Sequence, residues 1–504
     1  MYQTRVADGL LPCSDVAVAR SGARLIARIP ARAHRQAGRG ASKLTIPGEQ
    51  IFPGASLPDL RQEPPGRGRL LLLGISSALT AIVLVAVWAL TSGQIRPAHG
   101  TPASPGRQDA TCTGTALTPA SHVQAAINKA PPGTTFCFGR GIYRVSSLIP
   151  KPGDVLDGGN RTAILDGGNS AAYAIYGDSA SSGPSDVTIR GFVIRDFKTP
   201  LQNGAIEDFN GPGWIIQGNH ITENAAAGVA TGDSVRVIDN LIDHNRQEGF
   251  SAHGDGGLYE GNDIAYNNYN LVINGNWEAG GGKAWATRDL TFKSNYVHDN
   301  GGPGLWADTD NINTTFDDNT ISDNWGAGIY EEISYNAVII DNTVAGNGMP
   351  SSPGGGQRLG WAWDAGIQLR RSGGLSASSP LIVSRNTVAN NYNGISLIES
   401  PRQGCGTGKY GPCNAQNVLI ENNWITMSQG ATGAYQDGAG NAVFTTQNNI
   451  FNNNYYCVVS TSHPNDGYSY GWFAWIDGWS DFTTWQIYWR ETAGTFTVGG
   501  TCHP

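Results

Sequence analysis

The chain is poor in charge, because only 15% of its 504 residues are Asp, Glu, Lys or Arg, whereas glycine occurs 68 times. That composition suits turn-rich β-structure. Basic residues are scarcest after residue 69: residues 1–69 hold 11 Lys/Arg and 5 Asp/Glu, a net of +6, so a total of −8 leaves −14 for the remainder. Nucleic acid is therefore not expected as a partner of the folded part. An acidic groove suits neutral sugars, or acidic sugars if Lys, Arg or Ca²⁺ mediates.

The chain also lacks any CxxC or HExxH spacing, so no zinc site is predicted. Its seven cysteines are few, and Cys13 stands apart from the other six. Six cysteines allow fifteen pairings. Proximity along the chain favours three local disulfides, which an oxidising compartment would support: Cys112–Cys137, Cys405–Cys413 and Cys457–Cys502.

Long apolar runs are absent except for Leu70 to Leu90, which carries no charge and is long enough to span a bilayer. Arginines on its N-terminal side place the N-terminus inside: Arg61, Arg67 and Arg69, with Arg96 following. We predict a single-pass cell-membrane protein with four parts: a disordered basic cytoplasmic segment 1–69, a transmembrane signal anchor 70–91, a linker 92–111 and an extracellular domain 112–504. The alternative is a cleaved signal and a secreted protein.

One motif is abundant: Asn, any residue, Ile or Val, two residues and usually a second Asn. It occurs at Asn219/Asn224, Asn240/Asn245, Asn262/Asn267, Asn295/Asn300, Asn319/Asn324, Asn342/Asn347, Asn386/Asn391 and Asn448/Asn453, and at Asn423 with Ser428 in the second place. The shortest repeats, 21 to 25 residues, indicate stacked supersecondary units. Apolar residues around the motif alternate, which is typical of strands. Successive coils would rise about 4.8 Å, with the Asn side chains stacked at a turn.

This pattern resembles the right-handed parallel β-helix of pectate lyases, polygalacturonases and their relatives, over roughly residues 112 to 504. The resemblance implies an all-β fold, a single solenoid, and specifies the function poorly because this scaffold carries many chemistries. The segment 121–129 reads as a short amphipathic helix with Ser121 as N-cap, which would cover the open first coil.

A Gly followed by an apolar residue recurs after the second Asn and marks the next strand. Positions four after this Gly would face outward and stack on consecutive coils: His253, Asn274, Asp308, Glu332 and Arg370. Positions two after it add Trp306 and Tyr330. We predict that Asp308 and Glu332 face solvent on neighbouring coils and that their repulsion raises the pKa of one carboxyl. One protonated and one ionised carboxyl is the requirement for glycosidic bond hydrolysis.

Further candidates surround this column. Asp310 and Asn311 follow Asp308 closely, and Glu278, Lys283 and Trp285 lie in a segment read as an insertion over 277–287. Strict alternation would bury Glu331, so either its strand ends at Tyr330 or Glu331 takes part in the site. The stretches 298–311 and 328–335, with those of the insertion, resemble a group of exported bacterial β-helix proteins of largely unassigned activity.

We expect an enzyme that hydrolyses a polysaccharide or cell-wall glycan without a cofactor, as a monomer. Asp308, Glu332, Asp310, His253, Arg370 and Lys283 would be catalytic, and Trp306, Tyr330, Asn274, Asn311, Glu278 and Trp285 would bind substrate. One alternative is a lyase or uronate epimerase with Ca²⁺ on Asp308, Asp310 and Glu332, and Arg370 or Lys283 as base. The other is a non-catalytic glycan-binding or surface-structural module.

Overall fold

The computed structural model describes residues 112–504 except 178–182, 276, 350–361, 402–408, 461–471, 476–477, 490, 492, 500–501 and 503–504. The basic segment 1–69, the anchor 70–91 and the linker 92–111 lie outside the described residues and stay predictions. Within the described part, no helix combines the length and the apolarity that crossing a membrane requires.

The described chain winds through three long sheets, and in each full coil it adds one parallel strand to each of them. The first sheet consists of Thr115–Leu117, Thr135–Phe138, Val155–Asp157, Thr188–Arg190, Ile215–Gln217, Arg236–Ile238, Leu258–Glu260, Thr291–Lys293, Thr315–Asp317, Val338–Ile340, Leu381–Ser384, Val418–Glu421 and Ile450–Asn452. The second consists of Gly141–Arg144, Ala163–Asp166, Phe192–Arg195, His220–Thr222, Leu241–Asp243, Asp263–Ala265, Tyr296–His298, Thr320–Ser322, Thr343–Ala345, Thr387–Ala389, Trp424–Met427, Tyr455–Val458 and Thr495–Val498.

The third sheet consists of Ile175–Tyr176, Gly204–Asp208, Ala227–Thr231, Glu248–Ala252, Gly280–Ala284, Leu305–Asp308, Ile329–Glu332, Ala365–Arg370, Asn393–Glu399, Thr432–Gln436, Phe473–Trp475 and Gly478–Ser480. Its last two strands form an antiparallel pair, whereas the other pairings are parallel. The predicted parallel β-helix is thus confirmed, and alternation within each strand fills its interior. One coil contributes Ile216, Ile221 and Val229, all fully buried, each worth about 1.5–3 kcal/mol of transfer free energy.

Two Asn ladders run along the corners of the coil. At Asn319, the side-chain Oδ1 accepts hydrogen bonds from the Asn295 backbone N (3.0 Å) and Nδ2 (2.9 Å). Its own Nδ2 donates to Asn342 Oδ1 at 2.9 Å. The Asn period therefore marks buried amides that satisfy one another and the turn backbone, with a net contribution of about 1 kcal/mol for each hydrogen bond.

The final coil departs from the predicted pattern. Asn423 donates to Asn454, not to Asn448 or Asn453, which instead adopt left-handed backbone with φ of 52° and 55°. The pair Asn448/Asn453 is therefore wrong as a ladder pair. Glu491 accepts from the Asn454 backbone N and Nδ2 at 2.9 and 3.0 Å, so a carboxylate terminates the ladder.

The three helices found among the described residues are short: Val123–Lys129, Ala442–Thr445 and Phe482–Trp489. Ser121 is not the N-cap of the first helix, because the N-cap residue is His122, one residue further along the chain. Ser121 Oγ instead accepts from the Thr118 backbone N at 2.9 Å in the preceding turn. Val123 and Ile127 join the core, while a covering role for the helix stays a prediction.

Two of the three predicted disulfides are present, Cys112–Cys137 and Cys457–Cys502. Cys413 is disulfide-bonded, and Cys405, its predicted partner, lies outside the described residues.

The three sheets differ in how their outer faces are covered. Short strands of the first two, such as Ile215–Gln217 and His220–Thr222, alternate between buried inward residues and half-exposed outward residues. In the third sheet, strands such as Glu248–Ala252 and Ile329–Glu332 are buried at every position. The outer face of the third sheet is therefore covered by other side chains, and it carries most of the predicted site residues.

Candidate functional site

The outward positions of the third sheet form two parallel columns. In one, Trp306 pairs in register with Tyr330. In the other, Asp308 pairs with Glu332, which in turn pairs with Arg370. The register inferred from the Gly positions therefore brings these five side chains together on three consecutive coils.

One coil of the predicted column is wrong. The strand below Leu305–Asp308 is Gly280–Ala284, so the predicted insertion 277–287 contains a strand. Lys283 occupies the column position beside Trp306. Asn274 lies exposed in the loop before this strand, not in the column. The loop leaves the solenoid where Leu271 adopts a left-handed φ of 53°, so Asn270-Leu271 does not start a strand.

His253 lies at the lower end of the charged column, next to Trp285. Their rings stack with centroids 4.1 Å apart, and His253 Nδ1 lies 3.1 Å from the Trp285 carbonyl oxygen. Trp285 is 41% exposed, so its ring is available for contact with a ligand. An exposed ring of this kind matches the apolar face of a sugar.

Each acidic side chain of the column contacts its own cation. Lys283 Nζ lies 2.9 Å from Asp308 Oδ2 and 3.0 Å from Glu278 Oε1. Arg370 Nη1 lies 2.8 Å from Glu332 Oε1. The predicted repulsion between two bare carboxylates is therefore wrong, since positive charge compensates each of them.

These ion pairs are buried, contrary to the prediction of solvent-facing acids. Asp308 and Glu332 are 5% and 2% exposed. Aromatic rings lie in the adjacent column: Trp306 and Tyr330, which are themselves 4% and 6% exposed, stack with centroids 5.1 Å apart. Lys283 Nζ lies 4.5 Å from the Trp306 ring centroid, and the Arg370 guanidinium lies 4.7 Å from that of Trp363. Cations over aromatic faces add favourable electrostatics in a water-poor site.

The acids around the two cations favour the charged forms of both side chains. Burial alone would lower the pKa of Lys283, but the charges of Asp308 and Glu278 outweigh it and raise that pKa. Burial alone would also lower the pKa of Arg370, but its interactions with Tyr330 and Glu332 outweigh this effect and raise that pKa. Both side chains are therefore suited to act as fixed positive charges, and a role of Lys283 or Arg370 as a base stays a prediction.

Asp310 and Asn311 belong to the turn after the charged column. The Asn311 side chain is fully buried and accepts from Thr287 backbone N and Oγ1 at 3.0 and 2.8 Å, so its predicted contact with substrate is wrong. Asp310 follows Thr309 in left-handed backbone, with φ of 58° and 64°. In the described residues no three Asp, Glu, His or Cys side chains form a metal-binding group, so Asp308, Asp310 and Glu332 do not assemble into the predicted Ca²⁺ set.

Two further buried acids lie in strands of the third sheet, and the sequence singled out only one of them, Glu331. Glu331 is fully buried, and neither of its carboxyl oxygens has a hydrogen-bond partner among the described residues. Its burial, and to a smaller extent the negative charge of Asp308, raise its pKa well above the ordinary value. Glu248 is 1% exposed, and its burial, together with the negative charge of Glu278, likewise raises its pKa. Glu248 could have been noticed, because it is an acid at a strand position where its partners in register are the small residues Ala227 and Gly280. Strict alternation in the sequence already predicted that Glu331 is buried.

A comparison with family models agrees with this architecture. A family model described as "Right handed beta helix region" matches residues 209–377. Among curated proteins none matches significantly. The A-module of a mannuronan C-5 epimerase from Azotobacter vinelandii shares 16% identity over 75% of this chain and 93% of its own, with a TM-score of 0.46. A family 28 exopolygalacturonase from Yersinia enterocolitica shares 10% identity over 78% and 77%, with a TM-score of 0.41. An α-1,3-glucanase catalytic unit from Streptomyces thermodiastaticus shares 14% over 75% and 64%, with a TM-score of 0.31.

Proposed function

We propose that this right-handed parallel β-helix protein binds an extended polysaccharide along the outer face of its third sheet and acts on it at Asp308 and Glu332. The observation that carries the proposal is the in-register pair of acids flanked by the stacked rings of Trp306 and Tyr330. Aromatic faces bind the apolar side of sugar rings, and carboxylates bind and activate their oxygens. A row of coils matches a linear polymer, because each coil adds the same kind of contact about 4.8 Å further on.

Hydrolysis is the reaction we propose for the pair. One carboxyl donates its proton to the glycosidic oxygen as the C–O bond breaks. The other carboxylate assists addition of a water oxygen to the sugar carbon and takes up the proton of that water. Lys283 and Arg370 orient the carboxylates before substrate binds. Substrate binding must then displace one cation far enough for its carboxyl partner to carry a proton.

β-Elimination or epimerisation at a uronate would need a base to remove a ring proton. Lys283 and Arg370 are held as cations by their carboxylate partners, which favours hydrolysis over the version of this chemistry with a Lys or Arg base. A purely glycan-binding module remains the alternative of a different class. It would use the same rings and charges without turnover.

The location of this activity follows from residues outside the described part and belongs to the proposal. We propose that 70–91 anchors the chain in the cell membrane, that 1–69 stays inside, and that the β-helix works outside as a monomer. The disulfides Cys112–Cys137 and Cys457–Cys502 support an exported domain, since such bonds persist in oxidising compartments.

The test is a screen of the full-length chain against neutral and acidic polysaccharides, with and without a chelator. Release of reducing ends without an unsaturated product would support hydrolysis. An unsaturated product would show elimination instead, and binding without any product would show a binding module. The double variant Asp308→Asn/Glu332→Gln should lose turnover and keep ligand binding. Asp317→Asn is the matched control, because it removes an ion pair with Lys293 on the first sheet.

A further inference from the structure

Exposed apolar side chains concentrate in one short part of the described chain. Thirteen large hydrophobic residues are exposed in the described residues, and six of them fall between residues 266 and 285: Tyr266, Tyr269, Leu271, Val272, Trp277 and Trp285. Such a concentration is unusual on a soluble surface and marks a site of interaction. The segment leaves the second sheet after Asp263–Ala265 and enters the third at Gly280–Ala284, so it occupies the corner between these sheets.

Two tyrosine rings at this corner each contact the ring of His244 while remaining exposed. His244 stacks on Tyr266 with centroids 5.2 Å apart and an interplanar angle of 24°, and it meets Tyr269 edge-on at the same distance. The tyrosines are 41% and 38% exposed, and the His244 side chain is 39% exposed. We call these three residues the corner platform. It presents aromatic faces that neighbouring contacts already hold in place, so a ligand need not order them.

Carboxylates surround the corner platform. Asp243 Oδ2 lies 3.6 Å from His244 Nδ1, and Asp263 and Asp299 lie beside the adjoining His298 at 3.1 and 2.7 Å. Carboxylates accept hydrogen bonds from sugar hydroxyls, and they repel a carboxylated sugar. Rings bordered by acids therefore fit a neutral glycan and disfavour a uronate polymer.

The corner platform is continuous with the candidate active site through the loop that carries it. Glu278, at the end of the same loop, contacts Lys283 Nζ at 3.0 Å and accepts a hydrogen bond from Gln202 Nε2. Gln247 Nε2 donates to the Glu278 carbonyl oxygen at 2.9 Å. These contacts fix the loop against three coils, so a ligand on the platform lies at a defined place relative to the charged column.

We propose that the corner platform is a distal subsite for neutral sugar units of the polysaccharide that reaches Asp308 and Glu332. This inference rests on the proposed function and assigns its substrate class: a neutral glycan long enough to extend from the third sheet around the corner. The rings supply stacking, and Asp263 and Asp299 bind hydroxyls. Short oligosaccharides would occupy the charged column alone.

The experiment is affinity electrophoresis of the full-length chain in gels containing laminarin, xylan or dextran as neutral probes, and polygalacturonate or alginate as acidic ones. We expect retardation by at least one neutral polymer, weakened at least fivefold in Tyr266→Ala/Tyr269→Ala. Tyr488→Ala, which removes an exposed tyrosine on the last helix, should leave retardation unchanged. Tyr266→Phe/Tyr269→Phe keeps the rings and should keep most of the retardation even if the alanine variant folds poorly.

Retardation by acidic polymers only, or equal retardation of the wild type and the Tyr266→Ala/Tyr269→Ala variant with an unchanged circular dichroism spectrum, would overturn the subsite. Failure of the proposed function looks different. A chain that is retarded through the platform but turns over none of the polymers would refute the reaction and leave the subsite standing. Asp308→Asn/Glu332→Gln should therefore retain the retardation that the tyrosine variants lose.

Discussion

Asp308 and Glu332 occupy the same position on neighbouring coils, yet each faces a different cation. Lys283 neutralises the first at 2.9 Å and Arg370 the second at 2.8 Å. A cation next to each of the two neighbouring acids allows four charged groups to be buried together, because each carboxylate has a positively charged partner within hydrogen-bond distance. Because of these buried ion pairs, we expect the two acids to contribute to the stability of the fold as well as to the proposed reaction.

Changing either acid to its amide should abolish most turnover, because acid and base act as one unit. In contrast to exposed acids, these changes should also lower stability. Asp308→Asn leaves Lys283 with Glu278 as its remaining acidic contact among those described here, and Glu332→Gln leaves the Arg370 charge without its 2.8 Å carboxylate partner. Thermal unfolding beside an activity assay measures both effects. A Glu332→Gln variant with full activity on a substrate that the wild type cleaves would contradict the assignment.

Arg370 and Glu332 offer a double-mutant test of the buried pair. Removing one partner of a buried pair costs about 3–5 kcal/mol, whereas replacing both by apolar residues is often neutral. We expect Arg370→Met and Glu332→Leu to be strongly destabilising separately and much less so together, as measured by urea unfolding. Additive losses would mean that the two side chains do not interact energetically.

His298 should make stability depend on pH. Burial alone would lower its pKa, but hydrogen bonds and charges of Asp263 and Asp299 raise it to about 9. Because the folded-state pKa of His298 exceeds the ordinary value of 6.5, the interaction of protonated His298 with Asp263 and Asp299 stabilises the folded state fully below pH 6.5. This contribution is lost as the pH rises towards 9. The urea midpoint of His298→Gln should fall less over this range than that of the wild type. His122→Gln, at an exposed position, serves as control.

Glu331 should oppose folding at neutral pH. Burial and the charge of Asp308 raise the pKa of its carboxyl well above the ordinary value of 4.5, so the folded chain retains this proton to a higher pH than the unfolded chain does. This raised value favours folding at low pH, and the benefit is lost as pH rises beyond 4.5. Glu331→Leu fits beside its register neighbours Ala307 and Leu369 and should raise the midpoint of thermal unfolding at pH 8. The exposed Glu223→Gln should change it little.

Interrupting an Asn ladder should cost more than its single residue suggests. Asn319→Leu removes the acceptor of the Asn295 backbone N, one of the two acceptors of Asn295 Nδ2 and the donor to the Phe292 carbonyl, at about 1–3 kcal/mol for each buried group left without a partner. Chemical denaturation measures the loss, and exposed Asn128→Ala on the first helix is the control. Equal stability of the two variants would show that the ladder is dispensable.

The sequence predicted most of the fold because buried Asn and alternating apolar residues obey fixed periods. It also predicted the register of Asp308 with Glu332, since both follow a Gly-apolar pair at the same distance. Asn274 was misplaced because Asn270-Leu271 mimics that pair, while the true strand, Gly280–Ala284, begins with three glycines. Burial of the acids was not predictable, because the cations that pair with them, Lys283 and Arg370, become their neighbours only when the coils stack.

The direction of the Asn ladders has a consequence for how such a chain changes over time. Each Asn amide accepts hydrogen bonds from the coil on one side and donates a hydrogen bond to the coil on the other side. Every internal coil of a ladder therefore presents the same interface above and below. Whole coils can therefore be duplicated or lost without altering the joints. The two ends are not equivalent: Phe192 supplies a backbone donor to Asn219 at the start, and Glu491 supplies an acceptor at the finish. We expect length to vary freely between these termini and the residues that close them to be retained.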